Sequence, residues 1–190
     1  MTEKTTGRLL VSTATITTAE QLWRNHPNGR CELVRGELRM MSPAGGEHGW
    51  VIMNVAAPLA TFVRSHGLGC VFGAETGFII RRHPDSVRAP DIAFVCHDRM
   101  PDPLPPGFFD GPPDLAVEVL SPSDSTSSIR EKTEDWLTAG CHEVWLIDPR
   151  KKVASQCTWS GDSVVCRLVA RLTSDQLPGF DLPVDEVFQR

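Results

Sequence analysis

Two acids interrupt apolar segments of this 190-residue chain. Glu118 stands in the middle of "DLAVEVLSPSD", where Leu115, Ala116, Val117, Val119 and Leu120 have the composition of a strand buried on both faces. Asp91 opens "DIAFV", with Pro90 holding the residue before it extended. A carboxylate in such surroundings must be neutralised, paired or bound to a metal. Neighbouring strands lie about 4.8 Å apart, so acids on adjacent strands can share one divalent cation. Lys132 is the third residue of interest. It falls three residues after Ile129 and four before Trp136, at the edge of a helical apolar stripe, and its stem can snorkel towards the sheet end that carries Glu118. Two carboxylates that hold magnesium, with a lysine that orients a water and offsets charge on a phosphate, make one set of tools. A plain buried ion pair between Glu118 and Lys132, and a strand-start hydrogen-bonding role for Asp91, are the structural alternatives.

The elements that position these residues read as follows. Thr17 and Glu20 have capping-box spacing before a short helix "TAEQLWRN". "CELVRGELRMMSP" reads as an N-terminal β-hairpin turning at Arg35-Gly36, and a helix runs from about Glu47 to Ser65 on a stripe of Val51, Val55, Leu59 and Phe62. Pro58 should kink that helix by removing the amide hydrogen bond to Asn54. "GCVFGAETGFIIRR", "APDIAFVCH" and "DLAVEVLS" are three strand candidates, and the proline-rich loop "DRMPDPLPPGFFDGPP" between the last two can hold no ladder. A helix from about Ser125 to Ala139 has Ser128 and Glu131 at capping-box spacing. "HEVWLIDP" is a further buried strand, and a hairpin turns at Ser160-Gly161-Asp162. A mixed α/β domain with a central sheet and flanking helices follows. One domain over residues 1–190 is expected, with residues 1–16 a poorly ordered or edge-packing lead-in.

Composition narrows the classes. Apolar content of 41% is ordinary for a globular chain, and the net charge of −5 argues against a bulk electrostatic grip on nucleic acid while leaving room for a local basic groove. The longest apolar stretch is broken by Asn54 and Pro58 and too short for a bilayer, and the N-terminus has no secretory pattern, so a cytoplasmic protein without membrane contact is expected. The six cysteines are scattered without a CxxC pair, which predicts reduced thiols and neither a zinc site nor a disulfide framework.

The runs "CELVRGELRMMSPAGGEH", "APDIAFV", "PDLAVEVLSPSD", "EKTEDWLTAGCHEVWLIDP" and "LPGFDLPVDEVF" together resemble the Uma-two family of restriction-endonuclease relatives within the PD-(D/E)XK nuclease superfamily, over roughly residues 17 to 188. The resemblance implies a restriction-endonuclease-like core and magnesium-dependent endonuclease cleavage of DNA, with Mn2+ as a substitute ion. It makes Asp91 the acid of the PD pair and Glu118 that of the (D/E)XK element, with metal held by both and by the Val119 carbonyl. The superfamily lysine would fall at position 120, where this chain has Leu120; the family instead carries its lysine on the following helix, which Lys132 matches. By analogy the protein is a homodimer.

Other residues stand further out. Glu47 and His48 open the long helix, where superfamily members often present an extra acid, although acids also favour helix starts by themselves. Glu75 faces either the site or solvent. Glu32 and Glu37 flank the hairpin turn, with Glu37 expected to be structural. Arg81, Arg82 and His83, with Arg88 nearby, are candidate phosphate contacts or a solvated strand end. Trp136 and Trp145 are expected to pack in the core. The rival functions are a catalytically decayed module that binds nucleic acid or protein, and a hydrolase of smaller phosphodiesters.

Overall fold

The computed structural model describes residues 15–25 and 27–190, so all but the last two residues of the expected lead-in lie outside the described residues. A short helix, α1 (Ala19–Asn25), precedes a hairpin of β1 (Cys31–Val34) and β2 (Glu37–Met40). Arg35 and Gly36 at its tip have φ of 52° and 79°, the pair of positive values a two-residue hairpin turn of type I′ requires. Then come α2 (Gly46–Ser65), β3 (Gly69–Gly73), β4 (Phe78–Arg81), β5 (Ser86–Arg88) and β6 (Ile92–Cys96). A 3-10 turn (His97–Arg99) leads to β7 (Phe109–Asp110), β8 (Leu115–Val119), α3 (Thr126–Thr138) and β9 (Glu143–Asp148). The chain continues through β10 (Val153–Ser160), β11 (Ser163–Val169), β12 (Arg171–Leu172), β13 (Leu182–Pro183) and α4 (Val184–Val187).

Six strands in the order β11-β10-β9-β8-β6-β3 form the main sheet. Its mixed character centres on β8, which runs parallel to β9 across the α3 crossover and antiparallel to β6. The strand is buried along its whole length because helices cover both of its faces. On one side the α2 stripe Val51, Val55, Leu59 and Val63 packs on Ile92, Phe94, Leu115 and Val117. On the other, Trp136 and Leu137 of α3 pack on Ala93, Val95, Ala116 and Val144. Burial of each such large aliphatic or aromatic side chain is worth about 1.5–3 kcal/mol, which is why "LAVEV" reads as a continuous apolar run rather than an alternating one. The fold is the mixed, helix-flanked sheet with an N-terminal hairpin that the sequence predicts.

Several local expectations need correction. "GCVFGAETGFIIRR" is not one strand: β3 belongs to the main sheet, while β4 joins a second sheet of order β2-β1-β5-β4-β7. The break falls at Ala74–Gly77, where Glu75 has φ 72° and a Cβ on Gly77 would meet Phe108 Cδ1 at 2.3 Å. The proline-rich loop does hold a short ladder, since β7 pairs with β4 through Phe109 and Asp110. The first capping box is shifted by one residue: Thr18 Oγ1 accepts the Gln21 N–H while Gln21 Oε1 accepts the Thr18 N–H, each at 3.2 Å. The second is shifted by three, with Ser125 as N-cap accepting the Ser128 N–H at 3.1 Å. α2, by contrast, spans Gly46–Ser65 with Pro58 inside it, in keeping with the expected helix. Cys157 and Cys166, directly opposite on β10 and β11, are joined in a disulfide, against the expectation of reduced thiols throughout; the register brings their side chains together on one face, which linear spacing does not reveal.

Candidate active site

The register of β6 on β8 decides the site. Ile92 pairs with Val117 and Ala93 with Ala116, so Asp91, the residue before β6, stands beside the Glu118–Val119 end of β8. Glu118 turns to the face covered by α3, while Asp91 turns to the Val119 N–H and to His48 of α2. Both acids lie at strand ends and are nearly buried, at 6% and 7% exposure. Lys132 and Trp136, one helical turn apart on α3, both reach Glu118: Lys132 Nζ lies 2.8 Å from Oε2, and Trp136 Nε1 donates to Oε1 at 2.8 Å. Trp136 is therefore core and site residue at once. Asp91 Oδ2 accepts the Val119 backbone N–H at 2.8 Å, which ties the two strand ends together, and His48 Nε2 donates to Oδ1 at 3.2 Å.

Two residues reach the centre that the sequence does not place there. Glu32, 3% exposed on β1, brings Oε1 to 3.2 Å from Lys132 Nζ. Its partner is Arg88, buried and held also by Asp135, so Arg88 is no phosphate contact. Arg30 Nη2 lies 4.0 Å from Asp91 Oδ1, and its Nε lies 3.1 Å from Glu75. Glu32 sits in the "ELV" run of the expected hairpin, and the pairing of β1 with β5 carries it to the lysine.

The remaining candidates fall outside this centre. Glu47 is exposed in the first turn of α2, and it is the neighbouring His48 that turns inward. Glu75 is a turn residue, not a strand residue, with 64% of its side chain exposed. Arg82 is occupied by Glu20 at 2.7 Å, Asp85 at 3.3 Å and Asp110 at 3.8 Å. Arg81 is exposed and lines a cleft with Arg35 and Glu131, a different cleft from the one holding Glu118. Trp145 is buried, as expected.

The electrostatics follow from the packing. Burial lifts the Glu118 carboxyl to about 7; Lys132 pulls it down, while Asp91 and Glu32 add to the rise. Burial alone would also raise Asp91, but hydrogen bonds from His48 and the Val119 N–H hold it below the usual carboxylate range. For Lys132 burial acts downward, and Glu118 and Glu32 outweigh it, keeping the ammonium charged above the ordinary lysine range. Two carboxylates, Glu118 and Glu32, thus share one ammonium at the centre. A cleft of about 240 Å³ opens here, lined among others by Glu32, Glu118, Val119, Leu120 and Lys132.

Would these residues suit a divalent ion? Among the described residues no three His, Cys, Asp or Glu side chains gather as a ready cage. Two hard carboxylates are nevertheless a donor set that suits magnesium, which keeps much of its water and needs one or two carboxylates. The donors fit.

The mixed sheet flanked by helices is a restriction-endonuclease-like fold. The family profile described as "Putative restriction endonuclease", Uma2, matches residues 18–185, and the chain belongs to that family. Among solved structures it is similar to a crystal structure described as "a putative nuclease belonging to DUF820 from Anabaena variabilis ATCC 29413", with a TM-score of 0.72 at 18% identity, over 83% of this chain and 89% of that one. At that identity the likeness speaks for the fold. No curated protein matches the chain.

Proposed function

We propose that this protein is a single-domain, magnesium-dependent endonuclease that hydrolyses DNA phosphodiester bonds, with Mn2+ as a working substitute. The observation that carries the reading is the Lys132 ammonium 2.8 Å from the Glu118 carboxylate in one cleft, with Asp91 bonded to the N–H of the next residue, Val119. Asp91, Glu118 and the Val119 carbonyl would hold the ion. When bound, such an ion polarises a phosphate oxygen and acidifies a bound water. The chain supplies the rest. Lys132 keeps its protons at Nζ, donates a hydrogen bond to the attacking water or the phosphate, and offsets the charge that builds there. His48 and the Val119 N–H fix the rotamer of Asp91, and Trp136 fixes that of Glu118. Leu120 in the usual lysine position favours a decayed binding module, yet Lys132 brings an ammonium to the same acid from the helix.

A cytoplasmic homodimer acting on DNA is part of the proposal. No helix among the described residues is long and apolar enough to cross a membrane. Supercoiled plasmid incubated with pure protein, with and without Mg2+ or Mn2+, tests the reading. Nicking that needs the ion and disappears in both Glu118→Ala and Lys132→Ala is the expected result. Equal residual activity in the two variants would expose a contaminating nuclease, DNA binding without cleavage would favour the decayed module, and turnover of small phosphodiesters alone would favour the smaller-substrate hydrolase.

A further inference from the structure

Glu32 reaches the site from the N-terminal hairpin and has no part in the chemistry above. We infer that Glu32 is a positioning residue, the fixed second partner that keeps the Lys132 ammonium at the reaction centre once Glu118 is engaged by the cation. This rests on the nuclease reading.

The ammonium lies between two acids, 2.8 Å from Glu118 Oε2 and 3.2 Å from Glu32 Oε1. An ammonium with a single acidic partner competes with any cation for that partner's oxygen. With a second partner it need not leave when the first is withdrawn. Glu32 is built to stay still. Its Oε2 accepts from Arg88 Nη1 at 2.8 Å and its Oε1 accepts the Ala89 N–H at 3.1 Å. Arg88, 4% exposed, is anchored in turn by Asp135, three residues beyond Lys132 on α3. The carboxylate is thereby locked to the β5–β6 connection, and the same network ties down the helix that carries the lysine. Arg88 already has Asp135 as a counter-charge, so the oxygen that Glu32 turns to Lys132 is not needed to neutralise the arginine.

Loss of the charge at position 32 has two separable effects. Lys132 falls back entirely on Glu118, so the cation must displace it; and the ammonium is no longer held for the chemical step. Buried Glu32 does not touch DNA, so substrate affinity is spared.

The test is a calorimetric titration with Mn2+ of the full chain, of Glu32→Gln, of Lys132→Met and of the double variant, each checked for folding by circular dichroism. Glu32→Gln is expected to weaken Mn2+ binding about tenfold, within the range of outer-shell effects on metal sites. In the double variant no ammonium remains to compete, so its affinity returns to that of Lys132→Met. A double variant that keeps the whole Glu32→Gln loss, or a Glu32→Gln affinity equal to wild type, overturns the role. In plasmid nicking, Glu32→Gln lowers kcat about 10- to 100-fold with KM close to wild type; an unchanged kcat, or a change confined to KM, also overturns it. Should Glu32→Gln unfold, Glu32→Asp replaces it, since it keeps an acid for Arg88 but draws the carboxylate back from Lys132, with the same directions expected. Wild-type protein that neither binds Mn2+ nor nicks sinks the nuclease reading and this role with it, whereas active wild type with a failed double-variant test sinks this role alone.

Discussion

Trp136 donates its indole N–H to Glu118 Oε1 at 2.8 Å, one helical turn along α3 from the lysine that takes the other carboxylate oxygen. Both oxygens of the buried acid are held by one helix, so the orientation of Glu118 depends on the seating of α3 against β8. Trp136→Phe keeps most of the ring's bulk and removes the donor. Leaving a buried carboxylate oxygen unpaired costs about 1–3 kcal/mol, read by urea unfolding, and nicking should fall with it. Unchanged stability and activity would mean the indole only fills space.

The pH dependence follows from Glu118, whose carboxyl is lifted to about 7 from an ordinary 4.5. The fold favours its protonated form, so this group's contribution to stability is complete below the ordinary value and is lost as pH rises through about 7. A bound cation needs the carboxylate and works in the opposite direction. Melting curves with and without Mn2+ should therefore show a larger Mn2+-induced rise in Tm at about pH 8 than at about pH 6, and nicking should climb across the same interval. Equal rises at both would remove Glu118 from the ion's ligands.

Arg88 stands between Glu32 and Asp135 with almost no solvent. Arg88→Leu strands two carboxylates, one of them buried, and should cost about 3–5 kcal/mol in equilibrium unfolding. Glu32, which Lys132 and Arg88 hold below the usual range against the opposing effect of burial, contributes stability above its ordinary pKa that fades as pH falls. The Arg88→Leu deficit should accordingly be greater at neutral pH than near about pH 3. A deficit that ignores pH would disprove the charge argument.

Arg82 is already engaged by three acids. Arg82→Ala should leave DNA affinity and its salt slope close to wild type, because a residue that neutralises no phosphate releases no counterion on binding. A slope smaller by about 1 would place Arg82 on the DNA after all.

Leu120 lines the same cleft as Glu118 and Lys132. Leu120→Lys introduced into Lys132→Met returns an ammonium to the superfamily position and should recover part of the lost nicking. No recovery would show that the helix-borne ammonium occupies a point the strand cannot reach.

The apolar strands and the amphipathic helices are legible in residue order alone, and so are Asp91, Glu118 and Lys132, because an acid within "LAVEV" or a lysine beside an apolar stripe conflicts locally with its surroundings. Residue order also carries the hairpin turn, since Arg35-Gly36 must supply its own positive φ values. Where elements meet was decided by tertiary structure. The split of "GCVFGAETGFIIRR" between two sheets turns on a contact of Gly77 with Phe108, thirty-one positions away. The disulfide follows from the β10–β11 register, and Glu32 joins Lys132 only because β1 pairs with β5. Hydrophobic period and turn chemistry act over a few residues and can be read along the chain, whereas a charge finds its partner through sheet register and helix seating, which no local pattern encodes.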